Sequence, residues 1–237
     1  MSEIFQLSDD INVENTSCVS INKSLQYRHP NIIDHRDFCL PTNDQGTMPN
    51  CVGYTVAAFF EIKYWKHFHV PVQFPAQKIY QLGRKYKCDS IAGTRIEYCL
   101  ESLKSLNVFD GEIYKFCCDE NDYCDFKCML HECDSLMCAF TITDEWYSLN
   151  RKYIIKEKSN PKKLGGHCVL CCGYCDDGIY IQNSWGYKNW GNYGFGLLPW
   201  NLVYKQLNYT VAIRNFNLNE NAMEIFLSET KDSTGNN

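Results

Sequence analysis

The hydrophobic period of the chain changes about halfway along. Up to Leu106 apolar positions recur at three-to-four spacing, and from Leu136 onward they come in short runs of strand length. The longest helical pattern runs from Cys51 to about His67. Val52, Val56, Phe59, Phe60 and Tyr64 share one side, Glu61, Lys63 and Lys66 mark a wetter one, and Ala57 and Ala58 permit close packing. This predicts a long central helix that ends before Pro71. Asn50 suits the N-cap, which puts Cys51 in the first turn. Two further helices are predicted, over Pro75–Lys85 and over Arg95–Leu106. In the second, Ile96, Leu100, Leu103 and Leu106 share a face and Thr94 serves as N-cap.

Asn31–Asp37 reads as a short strand entering a turn, and Phe38–Pro49 as a loop. Residues 110–135 show no period and read as irregular and cysteine-rich. A strand is expected over Leu136–Ile142 and a polar loop over Lys156–Lys163. His167–Tyr174 and Ile179–Gln182 form a hairpin around the turn Asp176-Asp177-Gly178, and Tyr209–Ile213 is a last strand. Helices first and strands afterwards predict an α+β protein of two lobes. Residues 1–30 are polar and read as an N-terminal extension, residues 31–216 as the domain, and residues 217–237 as a mobile tail.

Composition narrows the class. A chain of 237 residues suffices for one large domain or two lobes sharing a cleft, and 45% apolar with 22% charged residues is ordinary for a globular protein. The net charge of -5 suggests no nucleic-acid partner. No apolar run reaches membrane-spanning length, so no membrane partner is expected, and the protein is read as a monomer. The start, Met1-Ser2-Glu3-Ile4-Phe5, is not basic then apolar, so a reducing compartment such as the cytoplasm is expected. Unconventional secretion or virion packaging would leave no such signal. Fifteen cysteines then read mostly as free thiols.

Cys51 is the candidate nucleophile. A thiol in the first turn of a helix meets unpaired backbone N–H groups and the positive end of the dipole, which favour the thiolate. Such a cysteine needs a base, a group that orients the base, and donors for an oxyanion. His167 begins the first strand of the predicted hairpin and Asn183 follows the second, so the two ends are neighbours. Continuing the register from Cys175 and Gly178 does not put them directly opposite, so a bulge or a diagonal contact is expected. Gln45, on the loop before Cys51, could supply an amide N–H to an oxyanion hole together with the Cys51 backbone.

Gln45-Gly46 to Cys51, Gly165-Gly166-His167 and Asn183-Ser184-Trp185-Gly186, in that order, resemble the signature blocks of papain-like cysteine peptidases. Asp34-His35-Arg36 resembles the segment that opens the family domain, and Gly191–Gly196 the glycine-rich stretch after the last block. Gly93-Thr94 and the helix after it are similar to a segment of bacterial members. The resemblance covers roughly residues 31–216 and implies a papain-like two-lobe fold: a helical lobe whose central helix starts at the nucleophile, and an antiparallel β-barrel-like lobe. It implies thiol-dependent peptide hydrolysis of a polypeptide substrate without a cofactor. Cys51, His167, Asn183 and Gln45 would be catalytic, and Gly93, Gly166 and Trp185 substrate-binding. Gly166 would leave the pocket before His167 uncharged and favour apolar side chains, and Trp185 would lie over the His–Asn bond.

Departures mark a divergent, bacterial- or viral-like member. Met48 stands where secreted members have a disulfide cysteine, and Val52 stands where they have a tryptophan. The Cys51-to-His167 interval is shorter than in the papain type. Residues 1–30 are too few for the family's helical prodomain and read as a possible short pro-segment.

Blander readings apply elsewhere. His35, His67, His69 and His131 read as surface or packing residues. Cys117, Cys118, Cys124, Cys128, His131 and Cys133 could hold a zinc ion in a reducing compartment, but they match no standard zinc module, and free or partly oxidised thiols are the preferred reading, with no metal assigned. Cys168, Cys171, Cys172 and Cys175 alternate along a strand and read as packing. Three uses of the Cys51 site stay open: peptidase; deubiquitinase-like or acyl-transferase chemistry through the same thioester; and a catalytically silent peptide-binding module.

Overall fold

A computed structural model describes residues 29–87, 92–117, 124–150 and 152–228. Cys118, nearly all of the extension and the last nine residues lie outside them. Helix α1, Cys51–Phe68, carries buried side chains around most of its circumference. Its last turn closes on His69, whose left-handed backbone donates to Trp65 O. α2 (Ala76–Tyr86) and α3 (Ile96–Ser105) pack beside it. At Gly53 the α1 and α2 backbones meet, and a Cβ would sit 2.4 Å from Ala76 O. Glycine is the residue that permits this approach.

The strands are β1 (Ile33–Asp34), β2 (Phe109–Phe116), β3 (Leu136–Thr143), β4 (Lys163–Cys175), β5 (Gly178–Gln182), β6 (Phe195–Pro199) and β7 (Leu207–Leu218). They form one antiparallel sheet of order β2-β7-β3-β4-β5-β6, with β1 paired to β4. In this antiparallel sheet, which is the expected β lobe, β2 and β6 are the two ends of the strand order. Phe109 of β2 and Phe216 of β7 stack on each other and meet Phe60 of α1 edge-on, so this edge belongs to the helical core. Helices α4 (Cys124–Cys133), α5 (Trp200–Gln206) and α6 (Glu220–Ser228) complete the described elements.

The alternation of β3 and β4 divides the interior. Met137, Ala139, Cys168, Leu170 and Cys172 join the core of α1, α2 and α3, whereas Leu136, Cys138, Phe140, Val169 and Cys171 join the core under α4 and α5. The cysteines of β4 pack on opposite faces, as their alternation predicts. A bulge between Cys171 and Gly173 shifts the β4–β5 register by one residue, and the same one-residue slip brings the His167 and Asn183 ends nearer.

Three local expectations need correction. Residues 110–135 contain most of β2 and all of α4. β2 escaped detection because a register shift between Asp110 and Glu112 breaks its alternation. The expected tail contains the end of β7 and then α6, with Met223 and Phe226 buried against the helical core. Asn50 and Thr94 do not cap by side chain. Arg95 is the N-cap of α3, and the Asn50 amide reaches across to donate to Gln77 Oε1 at 2.6 Å. Among the described residues no group of acidic, histidine or cysteine side chains is arranged to hold a metal ion, and no helix is long and apolar enough to cross a membrane.

Candidate active site

The site forms where three segments converge: the loop from Thr42 to Asn50, the start of β4, and the loop after β5. The two loops are laced together. Gln45 N donates to Ser184 O at 2.8 Å, Gly186 N to Asn43 O at 3.1 Å, and Asn189 Nδ2 to Asp44 Oδ2 at 2.9 Å. Gly186 has φ +80, and a Cβ there would press on Asp44 and Asn189, so glycine is required for the seam to close. Gln182 Nε2 anchors the end of β5 to Leu40 O at 2.9 Å.

His167 is 2% exposed and its Nε2 lies 2.8 Å from Asn183 Oδ1. The same Oδ1 accepts from Ser184 N at 2.8 Å. A backbone N–H can only donate, so Oδ1 is the amide's acceptor and Nε2 must donate to it. The neutral ring therefore carries its lone pair on Nδ1, which is buried and has no partner among the described residues. The Trp185 ring stacks on the imidazole at 4.9 Å between centroids and 29°, and the Trp146 ring meets it edge-on at 5.9 Å. These rings exclude water, and burial pushes the imidazole down to about 4, with the Asn183 bond opposing.

The Cys51 residue is half-buried and its sulfur faces inward. The backbone N–H of Cys168, the residue after His167, points at the sulfur, as do those of Val52 and Cys51. These donors favour the thiolate, but burial outweighs them and raises the thiol above its ordinary range. The expected helix-terminus thiolate is thus not the net result. Burial raises the neighbouring Cys99 and Cys168 thiols as well.

Gln45 is fixed at both ends of its amide. Nε2 donates to Met48 O at 2.8 Å, and Oε1 accepts from Ser184 Oγ at 2.5 Å. One Nε2 proton is left over. Gln45, His167, Asn183 and Trp185 are thereby joined in one hydrogen-bonded and stacked unit, and Cys51 reaches it through Cys168 N. Gly166 lies on β4 opposite Thr141, directly before His167. The Gly93 carbonyl accepts from Arg84 Nη1 of α2 at 2.9 Å.

Trp146, Trp190, Ser184 and Asp44 had no assigned role. Trp146 sits on a short turn after β3 that Thr143 opens by accepting from Glu145 N. Trp146 Nε1 donates to Gln206 Oε1, and Trp190 Nε1 donates to Trp146 O. The available signal was the pair Trp146-Tyr147 directly after a strand; Tyr147 stacks on Trp185 at 5.1 Å.

No protein-family model matches the chain, and no curated protein matches it. Solved structures do. Xylellain, a cysteine protease from Xylella fastidiosa, is 18% identical, with a TM-score of 0.68 over 90% of this chain and 98% of that one. Digestive procathepsin L 3 of the Tenebrio molitor larval midgut is 14% identical, with a TM-score of 0.60 over 80% and 71%. ProCathepsin B S9 from Trypanosoma congolense is 14% identical, with a TM-score of 0.61 over 84% and 83%. The chain therefore has the two-lobe papain-like fold.

Proposed function

We propose that the protein is a cysteine peptidase acting on a polypeptide, with Cys51 as nucleophile and His167 as its base. The observation that carries this is the fixed tautomer of His167. Asn183 Oδ1 holds the Nε2 proton, so Nδ1 is a lone-pair base in a dry aromatic setting. It lies one residue from the strand N–H that meets the Cys51 sulfur.

Burial lowers His167 and raises Cys51, so a thiolate–imidazolium pair is disfavoured before substrate binds. Proton transfer then accompanies attack. His167 Nδ1 takes the thiol proton as the sulfur bonds to the scissile carbonyl carbon, and the carbonyl electron pair moves onto oxygen. The Cys51 N–H and the remaining Gln45 Nε2 proton stabilise that oxyanion. Collapse breaks the C–N bond, and the Nδ1 proton goes to the departing amine. A water then attacks the thioester and gives its proton to Nδ1. Collapse expels the sulfur, which recovers that proton, so each turnover consumes one water and restores the thiol.

The test is covalent labelling by a peptidyl epoxide followed by mass spectrometry. Labelling at Cys51 that is lost in Cys51→Ala and at least tenfold slower in His167→Ala supports the assignment (general-base contributions are about 10²–10⁴). Equal labelling of Cys51→Ala refutes it. Isopeptide cleavage and acyl transfer would use the same thioester, and product analysis with peptide, amine and ubiquitin-conjugate substrates separates them.

One observation favours a second reading, a catalytically silent peptide-binding module: among the described residues His167 Nδ1 bonds to no group, the Cys51 sulfur included. That reading requires peptide binding without turnover, and unchanged epoxide labelling in His167→Ala.

A further inference from the structure

Where the two lobes meet beside Asn183 lies a small, partly open cavity lined by Thr42, Thr55, Glu61, Gln182, Asn183 and Ser184, among others. Its volume, about 20 Å³ for the centre of a water-sized sphere, admits a single water. Two buried atoms among its lining residues lack partners among the described residues: Asn183 Nδ2, a donor, and Gln182 Oε1, an acceptor. An amide proton left bare in the interior is costly, and two such atoms on residues that line one cavity point to a polar site. The third polar group is Glu61 of α1. It is 4% exposed, and its Oε1 accepts from Phe74 N at 3.0 Å, which leaves Oε2 for another partner.

We propose that this cavity is an internal water site, and that Glu61 is a positioning residue that acts through the water on Asn183. The proposal rests on the His167–Asn183 geometry of the proposed catalytic reading. The water accepts from Asn183 Nδ2 and donates to Gln182 Oε1, and its third bond is to Glu61 Oε2, from which it accepts while the carboxyl is protonated and to which it donates once the carboxyl ionises. That arrangement satisfies both orphaned atoms with three bonds, the usual number for a buried water. It also fixes the amide. Asn183 Oδ1 already has two donors, Ser184 N and His167 Nε2, so a flipped amide would turn Nδ2 against both. The water holds Nδ2 on the cavity side and so maintains the tautomer that leaves Nδ1 basic. Ligand-orienting groups of this outer kind act on a site without touching substrate.

Three measurements on the full chain test this. A high-resolution crystal structure is expected to show one ordered water within hydrogen-bond distance of Asn183 Nδ2 and Gln182 Oε1; a dry cavity, or an Nδ2 bonded elsewhere, overturns the proposal. The His167 Nε2 proton, followed by NMR, reports the bond to Asn183 whether or not the protein turns over substrate. Its resonance is expected to shift or broaden in Glu61→Leu and in Gln182→Leu, and to stay in place in Glu61→Gln, which keeps a polar partner for the water. In peptide hydrolysis Glu61→Leu is expected to lose about tenfold in kcat with little change in KM, and Glu61→Gln to restore it. If Glu61→Leu does not fold, Gln182→Leu and the NMR signal carry the test. An unmoved resonance in a folded leucine variant overturns the proposal. Absence of epoxide labelling at Cys51 in the wild type would instead overturn the peptidase reading alone.

Discussion

Replacing Glu61 by Gln should change how stability depends on pH. Burial raises the Glu61 carboxyl from 4.5 to about 7, opposed only by the bond from Phe74 N. Between those two values the folded protein holds a proton that the unfolded chain has released. Stability from this group is therefore fully present below pH 4.5 and is lost as the pH rises towards 7. At about 1.36 kcal/mol for each pH unit between the two values, the loss is at most about 3.4 kcal/mol. The cavity water would solvate the carboxylate and reduce this, so about 1–3 kcal/mol is expected. Glutamine keeps the acceptor for Phe74 N and cannot titrate. His167 works in the opposite direction. Its folded value of about 4 lies below that of the unfolded ring, so its contribution grows as pH rises from 4 to about 6.5. That effect is present in both proteins and cancels in the difference. Urea unfolding at intervals from pH 4.5 to 8, in reductant, gives the free-energy difference directly. The wild type should lose about 1–3 kcal/mol relative to Glu61→Gln over this range. Parallel pH profiles for the two proteins would refute the reasoning.

Asn183→Ala should lower kcat/KM about a hundredfold, since Nε2 loses its acceptor and Nδ1 its fixed lone pair; steady-state kinetics of the folded variant checks this. Alkylation of Cys51 by iodoacetamide, mapped by mass spectrometry, should accelerate only as pH passes the ordinary thiol range near about 8.5, and a plateau beginning below pH 6 would contradict the neutral pair. Trp185→Ala removes the ring stacked on His167, so NMR should show the imidazole titrating above its wild-type value of about 4, closer to 6.5. Gly53→Ala forces a Cβ to within 2.4 Å of Ala76 O and should destabilise by about 1–3 kcal/mol in thermal or urea unfolding.

The pattern along the chain was enough for the central helix, the hairpin, the two-lobe α+β character and the order Gln45, Cys51, His167, Asn183. Each of these depends on local periodicity or on turn chemistry, which neighbouring residues express directly. The edge strand β2 was not legible because a bulge hides its alternation, and α6 was not because it is short and buries only Met223 and Phe226. What only the tertiary structure decided is the electrostatic state of the site. The first turn of a helix promises a thiolate at Cys51, but packing the sulfur against β4 reverses the sign, because the cost of burying a charge exceeds what three N–H groups return. The tautomer of His167 likewise depends on one backbone donor, Ser184 N, that no spacing rule points to. Glu61 also lines a cavity, and that cavity exists only where the two lobes meet.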